Sequence, residues 1–232
     1  MSLPPGQRAM GYFPRFGIPF WEPPPLIAQP ALIRVAGAVV HPLEVPVSRL
    51  AELQRRDLVA NFHCVTGWTA PGLHWGGVAF RTFYDSVIVP EAGPEPGVSH
   101  VLFEGADGFS ATLALDDTFD DDVMLADQLG GTALDSDHGA PVRLLSPKQY
   151  GYKSTKHLCR IELHTREPKD GYRKGGLRRF LKWLVTPHLR ARVSEEERHR
   201  YLPAWVVRGI YRKVLRPFWL WAFRRCRTNR WT

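Results

Sequence analysis

The chain has 232 residues, 44% of them hydrophobic, which is enough to bury one core and carry an appendage. Its three cysteines form no C-x-x-C pair and are odd in number, which argues against a disulfide scaffold and a structural zinc site. The formal net charge is +8, and the N-terminus has neither an apolar run behind a basic start nor a twin arginine, so we expect a cytoplasmic protein.

The positive charge is concentrated at one end of the chain. Residues 170–232 contain 17 Lys and Arg against 4 Asp and Glu, a balance of +13, whereas residues 1–169 contain 14 against 19, a balance of −5. Proline, glycine and charged residues cluster at 168–171, as they do at boundaries between units. We therefore predict a body of residues 1–169 and a basic extension of residues 170–232.

The N-terminal region predicts an extended arm followed by strands. Eight prolines fall within residues 1–30, too many for a helix, so this segment should lie extended across the body. Short apolar or alternating runs bounded by turn residues predict strands over 31–40, 43–47, 57–63, 100–104, 109–115, 123–129 and 157–163. Gly72–Gly77 predicts a glycine-rich loop that could lie close to a ligand, without a nucleotide-binding signature.

A lone thiol stands at the end of the predicted strand over residues 57–63. Cys64 follows this strand directly and precedes a turn at Thr66-Gly67. A thiol held there by rigid backbone suits a metal ligand or a nucleophile, whereas many free cysteines are buried and inert, and both interpretations stay open from this stretch alone. A cysteine hydrolase that pairs Cys64 with His63 is the weaker alternative, because adjacent strand residues point to opposite faces.

A second informative stretch covers residues 138–156. Arg143 lies in a predicted short strand, and a loop of cationic and hydroxyl side chains follows it: Lys153, Ser154, Thr155 and Lys156. Cationic groups and hydrogen-bond donors together can hold a phosphate dianion. The alternative is a basic turn that faces water.

Three stretches in this order resemble the molybdopterin-binding domain of the sulfite oxidase family: Phe62–Trp68, His138–Arg143 and Tyr150–Lys156. The resemblance covers residues 13–167. Within the family, the chain is similar to compact bacterial members that reduce methionine sulfoxide. It implies an α+β fold that is mostly β with mixed sheets. Residues 1–169 are then the molybdopterin-binding oxidoreductase domain, and residues 170–232 are a basic helical extension of it.

The resemblance also implies a cofactor and the residues that hold it. Cys64 matches the only protein ligand to molybdenum in that family, and a soft thiolate suits a metal already held by the dithiolene sulfurs of a pterin. Positions that match pterin or phosphate contacts are Arg143, Ser154, Thr155 and Lys156, with Arg15 and His138 as further candidates. His138 stands where the methionine sulfoxide reductases carry asparagine, and Gly105 where they carry threonine.

The predicted reaction is two-electron oxygen-atom transfer with a small-molecule oxo donor or acceptor. Relatives that oxidise sulfite place arginines near the thiolate, whereas Cys64 has no basic residue beyond His63 beside it in the sequence. We therefore favour a sulfoxide-reductase-like activity over sulfite oxidation, with the alternative that an arginine from elsewhere in the chain folds in beside the thiolate. The chain has no haem-attachment motif, so we expect a separate electron-transfer protein as partner.

The basic extension contains two amphipathic stripes, at residues 177–184 and 207–218. Both could pack on the body, or residues 204–232 could make a peripheral contact with anionic lipid at the inner face of a membrane. Nucleic acid is not expected as a partner, because no zinc-finger or RRM motif is present. The alternative to the enzyme is a non-enzymatic adaptor that binds membrane or nucleic acid through this extension.

Overall fold

The computed structural model describes residues 3–15, 23–168, 186–211 and 213. Strands dominate these residues: β1 Arg8–Ala9, β2 Leu32–Gly37, β3 Leu43–Pro46, β4 Arg55–His63, β5 Trp68–Ala79, β6 His100–Gly105, β7 Ser110–Ala114, β8 Met124–Leu129, β9 Thr132–Ala133, β10 Arg143–Leu145 and β11 Leu158–His164. The helices are short: α1 Phe80–Phe83, which continues as a π-helical segment Tyr84–Ala92, then α2 Leu115–Thr118 and α3 Ala204–Ile210, with 3-10 turns at Val47–Glu52 and Gly151–Lys153.

The first sheet is built on a long antiparallel hairpin. Strands β4 and β5 pair from Arg55↔Val78 to His63↔Thr69, with a shift in register between Ala60 and Phe62. Strand β8 pairs with the other edge of β5, β10 pairs with β8, and the short β1 lies parallel to the start of β5. The turn of this hairpin is the Thr66-Gly67 turn, so the sheet places Cys64 at its tip.

The second sheet has the strand order β3-β2-β11-β6-β7. Strand β11 runs parallel to β2, and the other pairs in this sheet are antiparallel. Parallel and antiparallel pairs thus occur in both sheets, which confirms the predicted, mostly β fold with mixed sheets. The predicted strands over 57–63, 100–104, 109–115, 123–129 and 157–163 are all present within a few residues.

Apolar side chains from both sheets form the main core. It includes fully buried residues of β2, β6, β10 and β11, and the helical segment over residues 80–92 adds Phe80, Phe83, Val87 and Ile88. A second buried cluster surrounds the thiol and includes Phe62, Trp68, Trp75 and Leu145. The first core stabilises the sheets by burial of apolar area, and the second shields the tip of the β4–β5 hairpin.

Two parts of the sequence-based fold prediction were wrong or incomplete. Residues Gly72–Gly77 form the middle of β5 and not a loop. A Cβ at Gly77 would stand 2.1 Å from the carbonyl oxygen of Leu125, so this glycine allows two strands to approach closely. The helical segment over residues 80–92 was not predicted, although its buried residues Phe80, Phe83, Tyr84, Val87 and Ile88 have the spacing of one helical face.

The described part of the C-terminal extension packs on the body. The Val193 amide donates to the Lys148 carbonyl at 3.0 Å, and the Tyr150 amide donates to the Ala191 carbonyl at 2.9 Å. Val207 and Tyr211 are buried, so the start of the second amphipathic stripe faces the body. The first stripe, at residues 177–184, and the end of the second lie outside the described residues. No helix that the structure describes is long and apolar enough to cross a membrane.

Gly105 ends β6 in contact with the loop that carries Lys156. A Cβ at Gly105 would stand 2.2 Å from the Lys156 carbonyl oxygen. We expect Gly105→Thr to destabilise the fold by about 1–3 kcal/mol, because the extra atoms must push this loop away. Thermal unfolding of the purified variant measures this. Gly11→Ala is the control, since nothing lies within 4 Å of a Cβ placed there, and equal stability of the two variants would contradict the packing.

Candidate active site

The β4–β5 turn holds the thiol through the backbone on both sides. The Cys64 amide donates to the Trp68 carbonyl at 2.8 Å, and the Gly67 amide donates back to the Cys64 carbonyl at 3.0 Å. Gly67 has φ +98°, a conformation that residues with a side chain rarely adopt. We call residues 64–67 the thiol loop. Its backbone is closed on itself, so the hairpin fixes the position of the Cys64 Cα atom.

The Cys64 thiol is buried and has one close polar neighbour. Its side chain is 2% exposed, and Sγ lies 3.1 Å from Thr66 Oγ1. Burial raises the pKa of the Cys64 thiol to about 11, while the Thr66 hydrogen bond and the positive charge of Arg198 oppose part of this rise. In the cofactor-free protein the sulfur therefore carries its proton at neutral pH. This is the opposite of the lowered pKa that activates nucleophilic cysteines.

His63 does not act on the thiol. Its Nδ1 lies 2.8 Å from Thr69 Oγ1, the Thr69 hydroxyl donates to Gln7 Oε1 at 3.1 Å, and Gln7 Nε2 donates to the Cys64 carbonyl at 3.1 Å. Burial lowers the pKa of His63. These hydrogen bonds tie the N-terminal arm and β5 to the backbone of the thiol loop. The hydrolase alternative thus lacks the Cys–His pair that it requires.

A cavity of ≈ 170 Å³ opens beside the thiol loop. It brings together five of the seven residues proposed from the sequence, which are Cys64, His138, Arg143, Ser154 and Lys156. The other lining residues include four aromatic rings and two carboxylates: Phe13, Phe62, Phe109, Tyr152, Asp107 and Asp137. The cavity therefore combines a soft sulfur donor, cationic groups and aromatic walls.

Arg143 is a buried cation held by carbonyl groups. Its Nη1 donates to the His138 carbonyl at 2.8 Å, its Nη2 to the Ser154 carbonyl at 3.0 Å, and its Nε to the Leu144 carbonyl at 3.4 Å. The guanidinium also lies 5.3 Å from the centre of the Phe62 ring. Burial lowers the pKa of Arg143. Since a guanidinium has five N–H groups, two remain for an anion in the cavity.

Lys156 adds a second cation to the same cavity. Its Nζ donates to the Asp137 carbonyl at 3.3 Å, which leaves two of its three N–H groups for other acceptors. Burial, with the nearby positive charges of Arg143 and Arg15, lowers the pKa of Lys156 to about 8, and the carboxylates of Asp107 and Asp137 oppose part of this fall. An anion placed between Arg143 and Lys156 would relieve both the repulsion and the desolvation.

His138 lines the cavity and Arg15 lies next to one of its lining residues. The His138 ring stacks on Phe13 with centroids 4.7 Å apart, and its Nδ1 and Nε2 lie 2.7 Å from Asp135 Oδ1 and 3.1 Å from the Phe13 carbonyl. His138 therefore presents its ring to the cavity while its nitrogens contact protein groups. Arg15 does not line the cavity directly, but its Nε lies 3.4 Å from Asp137 Oδ1.

The predicted phosphate loop is only partly directed at the cavity. The Ser154 hydroxyl oxygen accepts the Ser146 amide at 3.0 Å. Thr155 is fully buried with its hydroxyl 3.5 Å from the Phe103 carbonyl, and the Lys153 ammonium donates to the Thr112 carbonyl inside the fold. Neither side chain lines the cavity. A cofactor role for Thr155 stays a prediction, and it would act through the backbone of the loop.

Sequence reasoning missed Arg198, which reaches the thiol loop from the C-terminal extension. Its Nη1 donates to the Val65 carbonyl, and its charge lowers the pKa of the Cys64 thiol. The sequence places no arginine or lysine next to Cys64, but the fold brings this one there across 133 positions. No local signal could have indicated this contact.

Comparisons with known proteins identify the class of protein that carries this site. The family model described as "Oxidoreductase molybdopterin binding domain" matches residues 24–172, more than half of the chain. The chain belongs to this family and is a molybdopterin-dependent oxidoreductase of the sulfite oxidase type. The family, the enzyme class and the cofactor predicted from the sequence are thereby confirmed.

Individual relatives cover different shares of the chain. The uncharacterized oxidoreductase YuiH of Bacillus subtilis is 28% identical over 73% of this chain and 82% of that protein. The protein-methionine-sulfoxide reductase catalytic subunit MsrP of Gluconobacter oxydans is 27% identical over 60% of this chain and 48% of that protein. The crystal structure of the sulfane dehydrogenase SoxCD from Paracoccus pantotrophus matches with a TM-score of 0.52 and 25% identity, over 60% of this chain and 39% of that one.

The cavity residues fit a molybdenum-molybdopterin cofactor. Arg143, which is buried, and Lys156, which is partly buried, have N–H groups left for a phosphate, and Cys64 offers a soft sulfur that would lose its proton and bind the metal as a thiolate. Among the described residues, no group of three or more His, Cys, Asp and Glu could hold a metal ion. When bound, the cofactor supplies two-electron redox chemistry. The roles of the single residues stay predictions.

The raised pKa of Cys64 predicts a steep pH profile for its alkylation in cofactor-free protein. With the pKa at about 11, only the thiolate fraction reacts, so the iodoacetamide rate should rise about tenfold per pH unit between pH 7 and 10. Mass spectrometry of the peptide that carries Cys64 measures this rate. A plateau below pH 9 would contradict the buried, protonated thiol.

The two cavity cations predict how pterin retention depends on charge and pH. Arg143→Met and Lys156→Met should each weaken pterin binding by about 1.5–3 kcal/mol, the cost of a lost charge-assisted hydrogen bond. Because the pKa of Lys156 is lowered to about 8, its charge is present below pH 8 and lost above it, so wild-type affinity should fall as pH rises through 8. Fluorescence of released pterin measures both effects.

The matched control for these variants is Lys148→Met, at an exposed lysine that pairs with Asp120 outside the cavity. It should retain pterin like the wild type. In Lys156→Met, the fall in pterin affinity above pH 8 should also be absent. If the double variant of Arg143 and Lys156 keeps full pterin occupancy, these residues do not hold the phosphate.

Proposed function

We propose that this enzyme catalyses two-electron oxygen-atom transfer on a small, uncharged oxo substrate, with reduction of a sulfoxide as the favoured direction. The observation that carries the proposal is the buried Cys64 thiol in one cavity with Arg143 and Lys156. This arrangement fixes a cofactor by its two ends, because a thiolate can hold the metal and the cations can hold the phosphate.

The character of the cavity walls supports an uncharged substrate. Phe13, Pro14, Phe62 and Val65 line the cavity together with Cys64 and offer apolar surface. A sulfite dianion would instead require an unpaired cation near the sulfur ligand. Arg198 donates to the thiol loop, but it is paired with the buried carboxylate of Glu196, whose Oε1 lies 3.7 Å from Nη2. The similarity to MsrP, a methionine-sulfoxide reductase catalytic subunit, agrees with this preference.

We further propose that electrons are exchanged with a separate protein. The MsrP relative is named as a catalytic subunit, which implies a partner for that protein. A small oxo compound and a redox protein would thus be the two partners of the enzyme.

Replacement of the thiol tests the proposal. Cys64→Ser should fold, keep part of its pterin and lose turnover by more than about 100-fold, since even changes behind a metal ligand cost 10–100-fold. The assays are oxidation of reduced viologen by methionine sulfoxide or dimethyl sulfoxide, and reduction of ferricyanide by sulfite. We expect activity of the wild type in the sulfoxide assays.

Cys159→Ser is the matched control. Cys159 is a free, partly buried thiol on β11 whose Sγ lies 3.5 Å from the Glu104 carbonyl, away from the cavity. This variant should keep wild-type turnover. Unchanged turnover of Cys64→Ser would refute the role of the thiol. Greater wild-type activity with sulfite than with any sulfoxide would refute the substrate class.

A further inference from the structure

A buried arginine from beyond the family-matched region contacts the thiol loop. The family model ends at residue 172, whereas Arg198 lies 26 positions further along the chain. Arg198 is 2% exposed, and its Nη1 donates to the carbonyl of Val65, the residue directly after Cys64. A charge-assisted bond to a carbonyl in a buried place is stronger than an ordinary backbone bond, so it restricts the loop.

The surroundings of Arg198 hold the guanidinium in one position. Its centre lies 4.9 Å from the Tyr150 ring and 6.0 Å from the Tyr211 ring, so two aromatic faces contact it. Glu196 supplies a buried countercharge and also pairs with Arg208 on α3. A Cβ at Gly6 would stand 2.8 Å from Nη2, so the N-terminal arm packs closely against the same group.

The backbone around Arg198 is specified as tightly as its side chain. Glu196 has φ +53°, a left-handed conformation that a residue with a side chain keeps only where its surroundings over-determine it. The Tyr152 hydroxyl donates to the Arg198 carbonyl at 3.0 Å, and Gln149 Nε2 donates to the Arg190 carbonyl. Tyr152 lines the cavity. The C-terminal segment, residues 186–211, is therefore hydrogen-bonded to Gln149 and Tyr152, and Tyr152 forms part of the cavity wall.

We propose that Arg198 is a positioning residue for the molybdenum ligand: it fixes the Val65 carbonyl and thereby the direction of the Cys64 sulfur. The inference rests on the metal-ligand role of Cys64 in the proposed function. Arg198 holds the loop from outside the cavity, since it is not one of the lining residues. A planar guanidinium suits this place because it can stack between rings while it donates in its own plane, which an ammonium cannot do.

The experiment compares full-length Arg198→Met and Arg198→Lys with the wild type, in both cofactor-loaded and cofactor-free protein. Arg192→Met is the matched control, because Arg192 belongs to the same segment and pairs with Glu197 at the surface. The first measurement is hydrogen exchange of the peptide that covers residues 62–70. The second is the Mo(V) electron paramagnetic resonance spectrum of the partly reduced, loaded protein, which reports the geometry of the sulfur ligand.

In Arg198→Met the amides of the thiol loop should exchange about tenfold faster or more, the effect of losing a charge-assisted bond. The resonance spectrum should shift or split, with pterin content unchanged. Arg198→Lys should keep part of the wild-type exchange protection and part of the wild-type spectrum, because lysine keeps the positive charge but lacks the planar guanidinium. Exchange of the β11 peptide should stay at the wild-type rate, whereas a merely structural role would accelerate both peptides together.

Loop exchange and a resonance spectrum equal to those of the wild type in Arg198→Met would overturn the inference. If Arg198→Met does not fold, Arg198→Lys is the deciding variant. Loop exchange and a resonance spectrum equal to those of the wild type in Arg198→Lys would show that the guanidinium is not needed, and this would overturn the inference. The cofactor-free arm separates the two proposals. Wild-type protein without metal and pterin refutes the proposed function, whereas accelerated loop exchange in the variant still supports the contact between Arg198 and the loop.

Discussion

The site depends on a hydrogen-bonded turn that holds one sulfur atom at the tip of a hairpin. The Cys64 amide and carbonyl are both bound within the thiol loop, and the carbonyl also accepts from the Gln7 side chain. Backbone groups that are paired on both sides fix the position of the Cys64 Cα atom, and burial in the surrounding apolar cluster restricts the thiol rotamer. A preorganised ligand avoids the cost of ordering the loop when the cofactor binds.

The electrostatics of the cavity are set by two desolvated cations, Arg143 and Lys156, whose hydrogen-bond partners are carbonyl groups. Arg143 and Lys156 contact carbonyl oxygens, whose dipoles compensate only part of the desolvation that burial imposes. Desolvation lowers the pKa of both side chains, and the charge of Arg143 lowers that of Lys156 as well. A bound phosphate would reverse this, because each cation would gain a partner of opposite charge. The fold thus places two cations in one cavity, and an anionic cofactor would reduce the repulsion between them.

The molecule divides these tasks between two parts of its chain. Residues 24–172, which match the family, supply the thiol, the cavity cations and every strand of the two sheets except β1. The C-terminal segment adds the countercharged Arg198 behind the thiol loop and covers the body with Val207 and Tyr211. A stretch that looks like a separate basic extension by charge alone is therefore partly built into the site. Its apolar stripe serves packing in the described residues, as amphipathic helices commonly do.

Local patterns were enough to predict most of the strands, though not β1, β5 and β9, as well as the thiol at the strand end and the family with its cofactor. Alternation of apolar and polar residues is a property of neighbours, and so are the motifs around Cys64, Arg143 and Lys156. Tertiary structure alone decided that Lys153 and Thr155 turn inward, that Gly72–Gly77 joins a strand, and that Arg198 reaches Val65. These outcomes depend on which distant strands and segments meet. Pairing across 133 positions leaves no periodic trace in the sequence, because it is fixed by the packing of the whole core.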